Sequence, residues 1–165
     1  MCHTRWVGDT VRDLTDGERR WVRLNVDLAG EIAKGYDLGV EPGDQLVPAT
    51  LDTAWVNWLQ AHDRANEDPN PYINAFGCAL GDYLVGRLGL DWRVISDEYG
   101  TEMAIWGEPG DVRIFPPNLV AKRYAEGAGP FFVSVASALE ERIGEMRAAW
   151  SAKPASRVGR LFGRR

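Results

Sequence analysis

Apolar side chains recur along this chain with two different periods, and the change from one to the other divides it. Thr15-Asp16-Gly17-Glu18 has the residues of a capping box, in which Thr15 and Glu18 satisfy free amides at a helix start. Trp21, Leu24, Leu28 and Ile32 follow at helical spacing, with Gly35 placed as the C-terminal cap. Residues 37–49, with Gly39, Pro42, Gly43 and Pro48, read as a loop. A second helix is expected from near Thr50, presenting Leu51, Trp55, Trp58, Leu59 and His62 on one face until residues 66–70 break it. Asn70 and Pro71 open a third helix as N-cap and first helical residue, with a stripe of Ile73, Phe76, Leu80 and Leu84 and a stop at Gly89. Gly77 and Gly81 lie four apart within it, each costing roughly 1 kcal/mol of helix propensity against alanine. That cost points to a buried helix approached closely by another backbone.

The period then becomes two. Trp92, Val94 and Ser96 alternate with Arg93 and Ile95, predicting a strand over about 91–96. A hairpin turn at 97–100 leads to a strand over 101–106, and a second turn at 107–111 to a strand over 112–115. Pro116 and Pro117 end the last strand, and Asn118 is placed to cap a short helix through about Tyr124. Phe132, Val135, Leu139, Ile143, Met146 and Trp150 then mark a long final helix. The expected fold is α+β: N-terminal helices, a three-stranded antiparallel meander over about 91–115, and C-terminal helices packed as one domain. The third and final helices are the candidates to cover the sheet.

Composition sharpens this in three ways. A chain of 165 residues and 18.4 kDa makes one domain, placed here at 1–150, with 151–165 as a basic flexible tail. Its 45% hydrophobic and 26% charged residues are a globular balance, and no apolar run approaches the roughly 18 residues of a membrane span. The N-terminal residues lack the apolar core of a signal peptide, so the expected location is the cytoplasm. The net charge of −5 conceals an asymmetry: residues 1–150 hold 14 Lys and Arg against all 24 Asp and Glu, a balance of −10. That excludes a nucleic-acid surface on the folded body. Two cysteines, Cys2 and Cys78, make no framework and read as reduced; two histidines, His3 and His62, make no metal site, and no cofactor motif appears.

Gly81-Asp82, Leu88-Gly89-Leu90-Asp91-Trp92, Asp97-Glu98-Tyr99-Gly100, Phe115-Pro116, Lys122-Arg123 and Gly127 occur in that order. Over about 76–132 this pattern resembles a bacterial family known as domain of unknown function 3806. The resemblance implies a shared fold and very little chemistry, since no activity comes with the family.

The charged members of the pattern, Asp82, Asp97, Glu98, Lys122 and Arg123, are the candidate site. Two readings compete: a cleft that binds a zwitterionic ligand or a partner's charges, or a structural set with Asp82 paired to Lys122 or Arg123. The structural reading is the favoured one, because ion pairs commonly serve architecture. His62 beside Asp63 reads as a packed residue, the two side chains lying about 100° apart on a helix. Asp52 with Asp63, and Glu67 with Asp68, lack metal-binding spacing. Of the seven tryptophans, Trp21, Trp55, Trp58, Trp92, Trp106 and Trp150 are assigned to the core, with Trp58 and Trp106 as the two that could instead reach the surface as interface anchors. The tail interleaves Arg157, Arg160, Arg164 and Arg165 with Val158, Leu161 and Phe162, offering weak contact with a membrane, nucleic acid or an acidic partner.

The sequence therefore favours a non-enzymatic protein-binding module, an accessory, regulatory or immunity-type factor whose binding residues include Trp106 beside the charged set. The alternative is a small-ligand-binding or enzymatic domain using the cleft of Asp82, Asp97, Glu98, Lys122 and Arg123. No catalytic residue, metal or cofactor is assigned.

Overall fold

The structure, a computed structural model, describes residues 9–152. The expected tail over 151–165 lies outside those residues apart from Ser151 and Ala152, and so do Cys2 and His3. In chain order the elements are β1 (Thr10–Asp13), α1 (Asp16–Gly35), α2 (Pro48–Ala61), α3 (Asn70–Leu88), β2 (Asp91–Asp97), β3 (Gly100–Gly107), β4 (Val112–Ile114), α4 (Pro116–Ala125) and α5 (Phe132–Ser151). The fold is α+β, with helices on both sides of the sheet in sequence.

The sheet has four antiparallel strands in the order β1-β2-β3-β4, one more than the meander expected from sequence. The extra strand, β1, pairs Val11 with Ile95 and Arg12 with Val94. All four of its side chains are exposed, so it shows no apolar alternation to read. Charge ties it down instead: Arg12 grips Glu18 at 2.8 Å, and Arg93 and Arg113 pair with Asp13 and Asp9.

Thr15 and Glu18 form the capping box at the start of α1. The buried stripe of α1 is Val22, Ala29 and Ala33, displaced one position from the leucine stripe expected. Small alanines let α1 lie close to its neighbours, and the register leaves Leu24 55% and Leu28 39% exposed. The second helix begins at Pro48, two residues early, because proline suits the first helical turn. The third has Pro69 at its N-cap, so Asn70 makes no side-chain cap; Gly89 ends it at φ 62 as expected. Pro116 and Pro117 both end β4 and start α4, two residues before the expected Asn118 cap.

The close approach expected of Gly77 and Gly81 is present. A β-carbon at Gly77 would lie 2.5 Å from the Pro117 Cα, and one at Gly81 would collide with the Trp92 indole. The α3 helix is thus wedged between α4 and the sheet. Its buried face joins Trp55, Phe76 and Phe132 in the main core, where Trp55 donates its indole N–H to the Ala128 carbonyl at 3.2 Å. A smaller cluster of Leu14, Val22, Cys78 and Val94 lies under α1, and burial pushes the Cys78 thiol up to about 12. Asp52 on α2 caps α5 by accepting from the amides of Phe131, Phe132 and Val133 at 2.6 to 3.0 Å. Trp150, assigned to the core from its spacing, is 52% exposed, since the last turns of α5 run past the core.

Candidate functional site

Neighbours on the helix account for the placement of Asp82. Gly77 and Gly81 face α4, so Asp82, about 100° further round, faces the loop between α1 and α2. There its carbonyl and carboxylate accept from Gln45 Nε2 at 3.2 and 3.3 Å. The pairing expected with Lys122 or Arg123 is not made. Arg123 instead binds Glu126 at 3.2 Å and lies 5.9 Å from the Phe131 ring centre, while Lys122 lines a separate cavity with Arg113, Phe115 and Leu139. Asp97 accepts from the Tyr99 and Gly100 amides at 2.8 and 3.2 Å, fixing the β2–β3 turn, and Glu98 beside it is exposed. Trp106 is half-buried, its N–H donating to Asp111 at 2.5 Å. No hydrogen bond or ion pair among the described residues joins Asp82, Asp97, Glu98, Lys122 or Arg123 to another of the five.

The structure assembles a different group where α1, α2 and α3 meet. A cavity of about 350 Å³ is walled by Glu31, Tyr36, Trp58, His62, Glu67 and Tyr72. Each arrives by a local rule. Glu31 lies on the last turns of α1, and Tyr36 is that helix's C-terminal cap. His62 leaves α2 at ψ 124 as its cap, off the helical face expected for it. Asp63 then turns the chain, accepting from the Ala65 amide at 3.0 Å and the Asn66 side chain at 2.7 Å; these bonds, Asn66 first, hold its carboxyl below its ordinary range. The turn brings Glu67 back to His62.

His62 is clamped on both sides. Its Nδ1 lies 2.9 Å from Glu67 Oε2 and its Nε2 3.0 Å from the Tyr124 hydroxyl. The ionised Glu67 carboxylate only accepts, so Nδ1 donates to it, while Nε2 and the Tyr124 hydroxyl share a hydrogen bond in which the hydroxyl can play either part. With its side chain fully buried, this imidazole has no nitrogen free for a substrate. Arg64 closes the outside of the clamp, donating to the Tyr124 carbonyl at 2.7 Å with its guanidinium 4.4 Å from the ring centre.

Aromatic rings make the floor. Trp58, 3% exposed, lies 4.9 Å from Tyr72 at 25° and 4.5 Å from His62 at 31°. Burial, and then Tyr72, raises the Tyr36 phenol above its ordinary value. Two carboxylates line this cavity and no Lys or Arg does. Glu31 also belongs to a second cavity of about 480 Å³ along α1, where Asp27, Glu41, Asp44 and Asp82 face a lone Lys34. Among the described residues the carboxylates of Asp27, Glu31 and Glu41 make no hydrogen bond or ion pair. No group of three or more His, Cys, Asp or Glu among the described residues is placed to hold a metal ion, and no helix among them is long and apolar enough to cross a membrane.

The family model for the domain of unknown function DUF3806 matches residues 52–135, half the chain. The chain belongs to this family. The matched DUF3806 segment supplies Trp58, His62, Glu67, Tyr72 and Tyr124, while Glu31 and Tyr36, which close the cavity from α1, lie outside it. A crystal structure of a protein from Bacteroides thetaiotaomicron VPI-5482 has the same fold, with a TM-score of 0.64 at 9% identity over 84% of this chain and 50% of that one. The chain thus spans about half the length of that protein. No curated protein matches the chain.

Sequence reasoning missed Glu31, Tyr36 and Tyr72 as site residues and weighed Glu67 only beside Asp68. A weak signal was present: Asp27 and Glu31 stand four apart on one helix, a like-charged pair that costs isolated helices a few tenths of a kcal/mol.

Proposed function

We propose that this member of the DUF3806 family is a non-enzymatic protein-binding module, and that it docks a basic amphipathic segment of another protein along α1. The observation that carries this is a combination on one helix: exposed Leu24 and Leu28 beside the carboxylates of Asp27 and Glu31, which have no partner among the described residues. Leu24 and Leu28 carry Asp27 and Glu31 toward the C-terminal end of their stripe and Arg20 and Arg23 toward its start, so the acidic end suits a partner with leucine-like residues flanked by Lys or Arg. The furrow continues the acidic edge through Glu41, Asp44 and Asp82. Asp97, Glu98 and Trp106 line neither of these two cavities. An accessory, regulatory or immunity-type role in the cytoplasm fits such a module, and the free Cys78 thiol accords with a reducing compartment.

The test is calorimetric titration with a synthetic arginine–leucine amphipathic peptide at low and high salt. Binding that weakens with salt is expected. Asp27→Asn/Glu41→Gln should cost about fivefold, the worth of two exposed ion pairs, and Leu24→Ala/Leu28→Ala at least as much. All four side chains are exposed, so the variants should fold. Equal binding of an aspartate–leucine peptide, or unchanged affinity in both variants, would overturn the reading.

A further inference from the structure

Resting on that docking reading, we propose that the cavity between α1, α2 and α3 is an anchor pocket for one arginine side chain of the docked segment. Three features point to a planar organic cation. Half-buried Tyr36 and Tyr72 present aromatic surface over the buried Trp58 and His62, and it attracts cations through the negative faces of the rings and packs well against a flat guanidinium. Among the described residues both Glu31 oxygens are without a partner, and Glu67 uses only Oε2 on His62, leaving Oε1 to accept. Among the described residues no Lys or Arg lines the cavity to oppose a cation.

Arginine suits this site better than lysine. Its guanidinium spreads its charge over a plane, donates to two carboxylates at once and is more weakly hydrated than an ammonium, so it enters an aromatic wall at lower desolvation cost. The position of the pocket matches the docking face. Glu31 belongs both to this cavity and to the acidic furrow, so a chain lying along α1 passes the mouth and can drop one side chain inside. His62 serves as a fixed wall, its ring held by Glu67 and Tyr124.

The probes are N-acetylarginine amide and its uncharged counterpart N-acetylcitrulline amide, followed by backbone amide shifts in NMR titrations of the full chain. The arginine probe should move Gly35, Ala61 and Tyr72 saturably, and citrulline should not. Glu31→Gln should weaken the arginine probe about threefold and cannot unfold the protein, since Glu31 is exposed and without partners among the described residues. Tyr72→Leu, checked for folding by its amide spectrum, should weaken it further. In the arginine–leucine peptide, citrulline at one position should cost far more than at the others.

Equal shifts from both probes, or unchanged binding in Glu31→Gln and Tyr72→Leu, would overturn the anchor while leaving docking along α1 standing if the peptide still responds to Asp27→Asn/Glu41→Gln. An arginine probe that binds in the cavity when the peptide does not bind α1 would overturn both the docking reading and the assigned occupant, and leave a site for a small free cation. Loss of peptide binding to the full chain, with recovery on removing 153–165, would name the chain's own basic tail as the occupant and overturn the partner segment.

Discussion

His62 and Tyr124 stand 62 residues apart in sequence and meet at 3.0 Å, ring Nε2 to phenol oxygen. The contact joins the end of α2 to the last turn of α4 across the main core, and it satisfies a polar atom with no access to water. Tyr124→Phe removes that hydroxyl and leaves the buried Nε2 unpaired, a loss of about 1–3 kcal/mol. The urea midpoint should fall accordingly. His62→Phe/Tyr124→Phe, which removes both polar partners, should fall by less than the two single changes together. An unchanged midpoint in Tyr124→Phe would show that Nε2 finds another partner.

Two glycine substitutions should move stability in opposite directions. Gly81→Ala drives a methyl into the Trp92 indole and the Pro116 ring, between elements that cannot separate without opening the core. A loss of about 1–3 kcal/mol is expected. Gly144→Ala sits on α5 with nothing within 4 Å of the added carbon, and should gain close to 1 kcal/mol from helix propensity. Thermal unfolding of the two variants side by side checks both signs. Equal shifts would mean that α3 is not wedged as described.

Glu18 links pH to the join between β1 and α1. Its carboxyl is lowered to about 2, first by the Arg12 guanidinium and then by the Thr15 amide. A carboxylate depressed in the folded state contributes stability that is full above its unfolded value and fades as pH falls through its folded one. The contribution should therefore be complete at neutral pH and disappear between about 4.5 and 2. Urea midpoints of the wild type and Glu18→Gln should differ at pH 6 and converge as the pH drops through that window. A constant gap would remove the assignment. Salt should narrow the gap at neutral pH, because Arg12 and Glu18 are solvent-accessible.

Residues whose roles depend on near neighbours were legible from the chain alone. The capping box at Thr15 and Glu18, the left-handed stop at Gly89, the turn at Asp97 and the change of period at Trp92 are short-range rules of hydrogen bonding and backbone geometry, and each lies where the sequence puts it. Gly77 and Gly81 also announced a close contact, because their cost to a helix needs a return. Which backbone came close, Pro117 and the Trp92 ring, was not in that signal.

Tertiary packing decided the rest. The β1 strand has no apolar face to read and exists because a partner edge and three arginines hold it. In α1 the leucines are the more hydrophobic choice for a core, yet Ala29 and Ala33 face inward because the neighbouring elements lie too near for larger side chains. The candidate site shows the same limit. Asp82, Lys122 and Arg123 share a charge pattern but different helix faces, whereas Glu31, His62, Glu67 and Tyr72 share no sequence pattern and one cavity. Local chemistry sets which elements form and where they stop; only the packing of α1 against α2 and α3 sets which side chains face one another, since that depends on contact across distances in the chain that no local spacing encodes.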